Sequence, residues 1–572
     1  MLTAAQKTRV ITVVMGFLVI AALLWFRLIW LQVLYPKHWM QIARRQHIQV
    51  VPLPPVRGAI LDRNLKPLAV SLRLTSVFAD PRHMKNPQRA ARLLAPILNQ
   101  SEPLLLQKFS QSRRGFVWLS RKIPNETGRK IRALKLSGVH LIMEPRRFYP
   151  QGTMASQLVG FAGMDMQGLA GLELAYNRIL SGEPGWRWLS RDARSRAVGA
   201  WEMASADPRD GLELILTIDT KIQYMAEKAL DRMYEKYRAK GAFMIVLNPM
   251  TGEVLAMVNR PTYDPNQFGK STPDSQRNRA VTDTFEPGSA FKVVTASVAL
   301  GTGIVRAEDQ FNCENGEYPI YGRVLHDHEK YGVLTFREVI ENSSNIGVAK
   351  AAMKVGAGPL YNGIRAFGFG EKTGFEIPGE IPGVVRPLKD WSKVAITSVP
   401  MGQGVAVNGL QMAQMICVIA NGGTLVRPWV VREIRDSSGV TITQFGPKSV
   451  RRVISKQVAA QMQQILSGVV ERGTGKNAAV PGYRAGGKTG TAQKVDATGQ
   501  YSHSKFTASF VGFVPVEQPR LAIVVVLDEP RFPYYGGIVS APAFKEVATA
   551  AMPYLTRGEI APPADSGDQK HG

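Results

Sequence analysis

Three short strings carry side chains that together can transfer an acyl group. Ser289 and Lys292 stand three residues apart in Ser289-Ala290-Phe291-Lys292, followed by Ser343-Ser344-Asn345 and then Lys488-Thr489-Gly490-Thr491. A serine hydroxyl is a poor nucleophile until a base takes its proton. A lysine three residues on shares its helical face. It acts as that base once desolvation or a nearby cation lowers its pKa. Phe291, Val293 and Val294 supply an apolar surround. Glu286-Pro287-Gly288 is a turn signal that starts a helix at Ser289, and the positive end of that helix favours the neutral amine. Ser343 can donate and accept, so it can pass a proton towards a leaving amine. Asn345 can hold a substrate amide. Lys488 offers positive potential to a peptide's terminal carboxylate, and the hydroxyls of Thr489 and Thr491 can donate to it. Glycines at 486, 487 and 490 let an extended peptide come close to an edge strand. Each string alone also reads blandly, as a capping serine with a surface lysine, a helix cap, or a solvated turn. Their order and combination favour a serine enzyme acting on a peptide with a free C-terminus.

The pattern around these strings predicts the elements that hold them. Residues 212–218 alternate and run into an amphipathic helix over 220–237. Strands over 241–247 and 253–258 flank the turn Asn248-Pro249-Met250-Thr251-Gly252. Residues 289–300, 411–420 and 456–472 read as helices, the last closed by Gly473 and Gly475. Strands over 484–493, 505–514 and 521–527 follow. Helices over 335–340 and 346–355 flank the second string. Upstream, 101–109 and 125–136 read as helices, and 116–119 and 139–143 as strands. The fold class is α+β, with one sheet packed between helices.

The chain has 572 residues, 45% hydrophobic and 20% charged, enough for several packed domains. Its formal charge of +26 is scattered. With no helix-turn-helix, zinc knuckle or arginine block, it reads as a basic surface rather than a nucleic-acid site. Cys313 and Cys417 lie too far apart for a disulfide framework. His326, Asp327 and His328 lack a further metal ligand and read as a surface turn. Val10 to Phe26 is apolar and Leu28 to Leu31 extends it, long enough to cross a bilayer. Trp25, Trp30 and Tyr35 suit an interfacial belt, and Arg27 can snorkel. A cleaved signal peptide would be shorter and end in small residues. Lys7 and Arg9 place the N-terminus in the cytoplasm, although Lys37, Arg44 and Arg45 weaken that asymmetry. Pro52, Pro54 and Pro55 end the juxtamembrane helix, and residues 558–572 read as a disordered tail.

With these residues in view, the chain resembles the class B penicillin-binding proteins, the monofunctional serine D,D-transpeptidases of bacterial wall synthesis. The strings match that family's SxxK, SxN and KTG(T) motifs. Arg57 to Asn64 looks like the opening RGxIxDRN box, and Arg147 to Pro150 and Gly168 to Glu173 resemble two further boxes of its N-terminal module. Thr217-Ile218-Asp219 and Gly402-Gln403-Gly404 fit the catalytic domain, and the likeness covers about residues 20–553.

The resemblance implies a cytoplasmic tail (1–9), a membrane anchor (10–35), an elongated mixed α/β pedestal or dimerisation-like module (36–211), a transpeptidase domain (212–555) and a tail (556–572). That last domain would have a mainly antiparallel sheet between helices and a helical subdomain, outside the cytoplasm on the inner membrane. It implies Ser289 as nucleophile, Lys292 as base, and Ser343 and Lys488 as proton handlers. Asn345, Thr489, Gly490 and Thr491 would bind substrate, with the backbone N–H groups of Ser289 and Thr491 as oxyanion hole. Implied partners are peptidoglycan stem peptides, glycan from lipid-linked precursors, β-lactams as covalent inhibitors, a membrane-embedded glycan polymerase and division proteins. Neither metal nor cofactor is implied. Asn345 points to the division branch, since the elongation branch typically carries SxD. Elongation or sporulation enzymes, or a β-lactam sensor or hydrolase, are the alternatives.

Overall fold

The computed structural model describes residues 3–34, 48–111, 115–190, 205–496 and 498–556. The expected C-terminal tail over 558–572 lies outside them, as do Tyr35, Lys37, Arg44 and Arg45. The chain divides into two compact units. One comprises Met1–Val56 and Gly182–Asp210; the other comprises Arg57–Ser181 and Gly211–Gly572.

In the first unit a continuous helical run covers Ala4–Leu34, 31 residues with none of its apolar stretch buried. Its last turn, Trp30–Leu34, widens to π-helical geometry. Among the described residues it is the one helix long and apolar enough to cross a membrane. The same unit corrects one expectation. Where a helix was to end at Pro52, the strand Ile48–Leu53 instead pairs antiparallel with Gly185–Ser190. β-Branched residues at 48, 50 and 51 favour extended chain, and a two-stranded ribbon leaves an open edge for Pro52.

The second unit holds all three strings. Its central sheet runs Gly486–Val495, Tyr501–Val514, Leu521–Asp528, Gly241–Leu247, Val254–Arg260 in spatial order, every pair antiparallel. The period of two splits its side chains between two cores. Ala522, Val524 and Val526 pack with Phe243 and Ile245 against the helices Lys292–Gly301, Gly409–Ala420 and Lys456–Glu471. Ile523, Val525 and Leu527 pack with Met244 and Val246 against Thr220–Lys236 and Ala541–Thr556. A strand buried on both faces needs an all-apolar run, which is why 521–527 lacks polar alternation. Gly486–Val495 is left at the sheet edge.

A second, seven-stranded sheet joins the catalytic part to the N-terminal module. Ile60–Leu61 pairs in parallel with Glu213–Leu216 and antiparallel with Pro67–Ala79. The long strand Pro67–Ala79 then pairs with both Val117–Ile123 and Val139–Phe148. The predicted helices upstream form as Glu102–Gln111 and Asn125–Ala133. Three family-like boxes meet in one buried ion cluster here. Glu173, fully buried, accepts from Arg57 Nε and Arg147 Nε, both at 2.6 Å, and from Tyr149 OH at 3.2 Å.

Candidate active site

The turn that carries Ser289 is shaped by glycine. Gly288 has φ +55°, and a Cβ there would stand 2.7 Å from the carbonyl oxygen of Thr491. Glycine alone combines that left-handed conformation with so close an approach. Gly490 is similar: a Cβ on it would meet Ser509 Oγ at 2.3 Å and the Pro287 carbonyl at 2.7 Å. Gly288 N also donates to the carbonyl of Gly402 at 3.3 Å. The turn is thus held between the edge strand and the Gly402-Gln403-Gly404 loop. Residues Gly288–Phe291 form a 3-10 turn, and the α-helix proper begins at Lys292. Ser289 is half-buried on this turn and lines a cleft of about 790 Å³.

Lys292 lies inside the core, 0% exposed. Phe291, Val293 and Val294 are equally buried, as their types suggested. Burial pushes its pKa down to about 7, against an upward pull from Asp327 and Cys313. Its Nζ donates to the Ser343 carbonyl at 2.5 Å and to Asn345 Oδ1 at 2.8 Å, and lies 3.2 Å from Ser343 Oγ. A neutral amine has two N–H bonds and one lone pair. The two short contacts take both N–H bonds and leave the lone pair for a hydroxyl.

Lys488 is the second fully buried lysine, with Nζ 2.9 Å from Ser343 Oγ. Burial drives its pKa well down, and the charge of Lys292 adds to that. One hydroxyl therefore bridges two amines that disfavour each other's protonation. Ser343 itself has φ +62°, an uncommon state for a residue with a side chain and a mark of local strain at a working position. Lys488 does not line the cleft, and burial that lowers its pKa weakens the positive potential the sequence suggested for a terminal carboxylate. Thr489 and Thr491 do line it. Thr489 Oγ1 is 2.9 Å from Thr474 Oγ1, and Thr491 Oγ1 accepts from Gly536 N at 3.1 Å.

The second string divides its labour. Ser344 caps the helix Asn345–Val355 by accepting from Gly347 N at 2.9 Å. Its hydroxyl donates to Asp327 Oδ2 at 2.6 Å. Asp327 Oδ1 accepts from the backbone N–H of Asn345 and of Ile346, at 2.5 and 3.0 Å. Asn345 lines the cleft, but its amide also works inward, since Nδ2 donates to the His326 carbonyl at 2.8 Å while Oδ1 accepts from Lys292. So the His326-Asp327-His328 stretch is a buttress: Asp327 completes the cap and sets the charge near Lys292.

Of the eight proposed site residues, Ser289, Ser343, Asn345, Thr489 and Thr491 line this cleft, Lys292 and Lys488 reach Ser343 Oγ from the core behind it, and Gly490 abuts the turn at Pro287. Sequence reasoning left Asp327 in a surface turn, gave Gln403 only as part of a family-like box, and missed Thr474 and an aromatic wall. Phe506 stacks on Tyr534 with centroids 3.8 Å apart, beside Tyr535. The run Phe532-Pro533-Tyr534-Tyr535-Gly536-Gly537 was the available signal, since clustered aromatics before glycines suit a ligand wall.

Fold and site together define a penicillin-binding catalytic head joined to an N-terminal module through a shared seven-stranded sheet. A model of the penicillin binding protein transpeptidase domain matches residues 242–549, and one of the penicillin-binding protein dimerisation domain matches 52–216. The chain belongs to the class B penicillin-binding proteins. It is 35% identical to stage V sporulation protein D of Bacillus subtilis, over 96% of this chain and 86% of the relative. It is 34% identical to the probable peptidoglycan D,D-transpeptidase PbpC of Pseudomonas aeruginosa, over 99% of both. Identity to the peptidoglycan D,D-transpeptidase FtsI of Escherichia coli is 33%, over 91% of this chain and 87% of FtsI. Penicillin binding protein 3 of Mycobacterium tuberculosis, solved with aztreonam, superposes with TM-score 0.69 at 28% identity, covering 90% of this chain and 98% of that one.

Proposed function

We propose that this chain is a membrane-anchored peptidoglycan D,D-transpeptidase that crosslinks stem peptides through an acyl-Ser289 intermediate. The observation that carries the reading is the Lys292–Ser343–Lys488 chain of contacts beside Ser289. The donor peptide lies along the open edge of Gly486–Val495, touching Thr489, Gly490 and Thr491, with Asn345 at a peptide amide. Lys292 takes the Ser289 proton as Oγ attacks the penultimate carbonyl. The backbone N–H groups of Ser289 and Thr491 hold the oxyanion; one such donor is typically worth about 10²–10³ in rate. As the C–N bond breaks, the proton passes through Ser343, with Lys488 assisting, to the departing D-Ala. A stem-peptide amine then attacks the acyl carbon, loses its proton to the relay and frees Ser289. Water in its place gives minor carboxypeptidation. β-Lactams enter as donor mimics and stay on Ser289.

Lys7 and Arg9 support an N-terminus in the cytoplasm and a catalytic head outside it. The likeness to FtsI and the SxN motif support a septal role, with a membrane-embedded glycan polymerase and division proteins as partners. The 35% identity to a sporulation protein supports sporulation as the second reading. The test is D-Ala release and crosslinked product from a D-Ala-D-Ala peptide and an amine acceptor. Wild type makes both and Ser289→Ala makes neither; turnover by Ser289→Ala would refute the reading. A tagged copy at midcell in vegetative cells would separate division from sporulation.

A further inference from the structure

A smaller pocket of about 230 Å³ opens beside the cleft and shares Gln403 with it. It carries two arginines, Arg323 and Arg386, and neither forms an ion pair with a carboxylate among the described residues. Arg279 in the same unit is different, held by both Asp274 and Asp283. Arg323 stands on the strand Arg323–His326, whose far end supplies the His326 carbonyl and leads into Asp327 at the second motif. Its Nη2 donates to Thr397 Oγ1 at 2.6 Å and Ser398 Oγ at 3.0 Å, while its Nε is buried with no partner. Burial already lowers its pKa. An inward guanidinium with a free N–H and no counter-ion is costly until an anion arrives. Trp391, its Nε1 donating to the Arg386 carbonyl at 3.0 Å, gives the pocket an apolar wall. Tyr501 closes the side towards the nucleophile turn, its OH donating to Glu286 at 3.1 Å. One carboxylate, Asp390, also lines the pocket, and it is exposed.

We propose that this pocket is a carboxylate subsite for one of the two stem peptides that meet at Ser289. The inference rests on the transpeptidase reading above. Guanidinium groups match the planar carboxylate with paired N–H bonds. A peptide running along the cleft past Gln403 can place an internal or α-carboxylate there while its reacting end stays at Ser289. Arg323, by gripping it, would also tie substrate recognition to the strand that supports Asp327.

The experiment uses full-length protein in detergent and two synthetic peptide pairs. One pair is a D-Ala-D-Ala donor with a free or an amidated internal carboxylate; the other is an amine acceptor with a free or an amidated α-carboxylate. The readout is the ratio of kcat/KM for free over amidated peptide within each protein, which cancels any general loss of activity. Wild type should prefer the free carboxylate about tenfold or more, the scale of a desolvated charge pair. A preference in the donor pair assigns the donor stem, and one in the acceptor pair assigns the acceptor. Arg323→Gln and Arg386→Gln should bring the ratio towards one, and Arg386→Lys should retain part of it. Should Arg323→Gln not fold, the exposed Arg386→Gln decides. No preference in wild type, or an unchanged ratio in the variants, overturns the subsite. Failure of wild type to react with penicillin at all would instead overturn the transpeptidase reading.

Discussion

Acylation of Ser289 by a penicillin should titrate near neutral pH. An ordinary lysine is neutral in roughly one molecule in 2,500 at pH 7. With its pKa brought down to about 7 by burial, Lys292 is neutral in about half of them. If the neutral amine is the base, the second-order acylation rate follows its fraction: about one-tenth of the plateau at pH 6, one-half at pH 7 and nine-tenths at pH 8. The midpoint belongs to the Lys292–Lys488 pair, because each amine disfavours protonation of the other. Asp327 is the largest upward pull on Lys292. Asp327→Asn keeps an oxygen for the N–H groups of Asn345 and Ile346 and removes the charge, so the midpoint should move to lower pH. Stopped-flow labelling with a fluorescent penicillin from pH 5.5 to 9.5 measures both profiles. A rate still climbing tenfold per pH unit through pH 9, or an Asp327→Asn midpoint displaced upward, would refute the neutral-lysine mechanism.

Lys292→Met should stabilise the fold at pH 7. The native lysine binds fewer protons than the unfolded one between pH 7 and 10.5, so its burial is unfavourable below that window and costs nothing above it. The full effect is about 5 kcal/mol, reduced by the lost hydrogen bonds to Ser343 and Asn345. Denaturant titrations should give a gain of a few kcal/mol at pH 7 that shrinks by pH 10; a pH-independent difference would contradict this. Gly288→Ala places a methyl group against the Thr491 carbonyl in a left-handed conformation, so penicillin acylation should fall at least about 100-fold. An unimpaired rate would show that the contact between turn and strand is not needed. Glu173→Gln leaves Arg57 and Arg147 buried without their anion and should cost about 3–5 kcal/mol in unfolding experiments. A loss under about 1 kcal/mol would mean that the cluster is relieved by water.

The proposed reacting residues were legible because the chemistry asked of them fixes both type and spacing. Ser289 and Lys292 must share one helical turn, and glycines must stand wherever strand and turn touch. The apolar run at 521–527 and the two runs flanking the turn at 248–252 read as strands, and burial on both faces explains why they carry so few polar residues. Asp327 was not legible, because its partners at 344–346 reach it only through the folded hairpin. The same holds for Glu173, whose arginine partners are 116 and 26 positions away. Lys488 was read as a source of positive potential for a terminal carboxylate because spacing shows proximity to substrate but not depth, and depth decides its charge. Pro52 was read as a helix stop because the pairing of 48–53 with 185–190 is non-local.

Mass-mapping the covalent adduct after wild-type protein is incubated with a β-lactam reaches the chemistry most directly. One added inhibitor mass, on the peptide containing Ser289 and localised to its hydroxyl, is the expected result. An adduct on Ser343 or any other side chain, or no adduct on correctly folded protein, would contradict the assignment of Ser289 and with it the relay built around that hydroxyl.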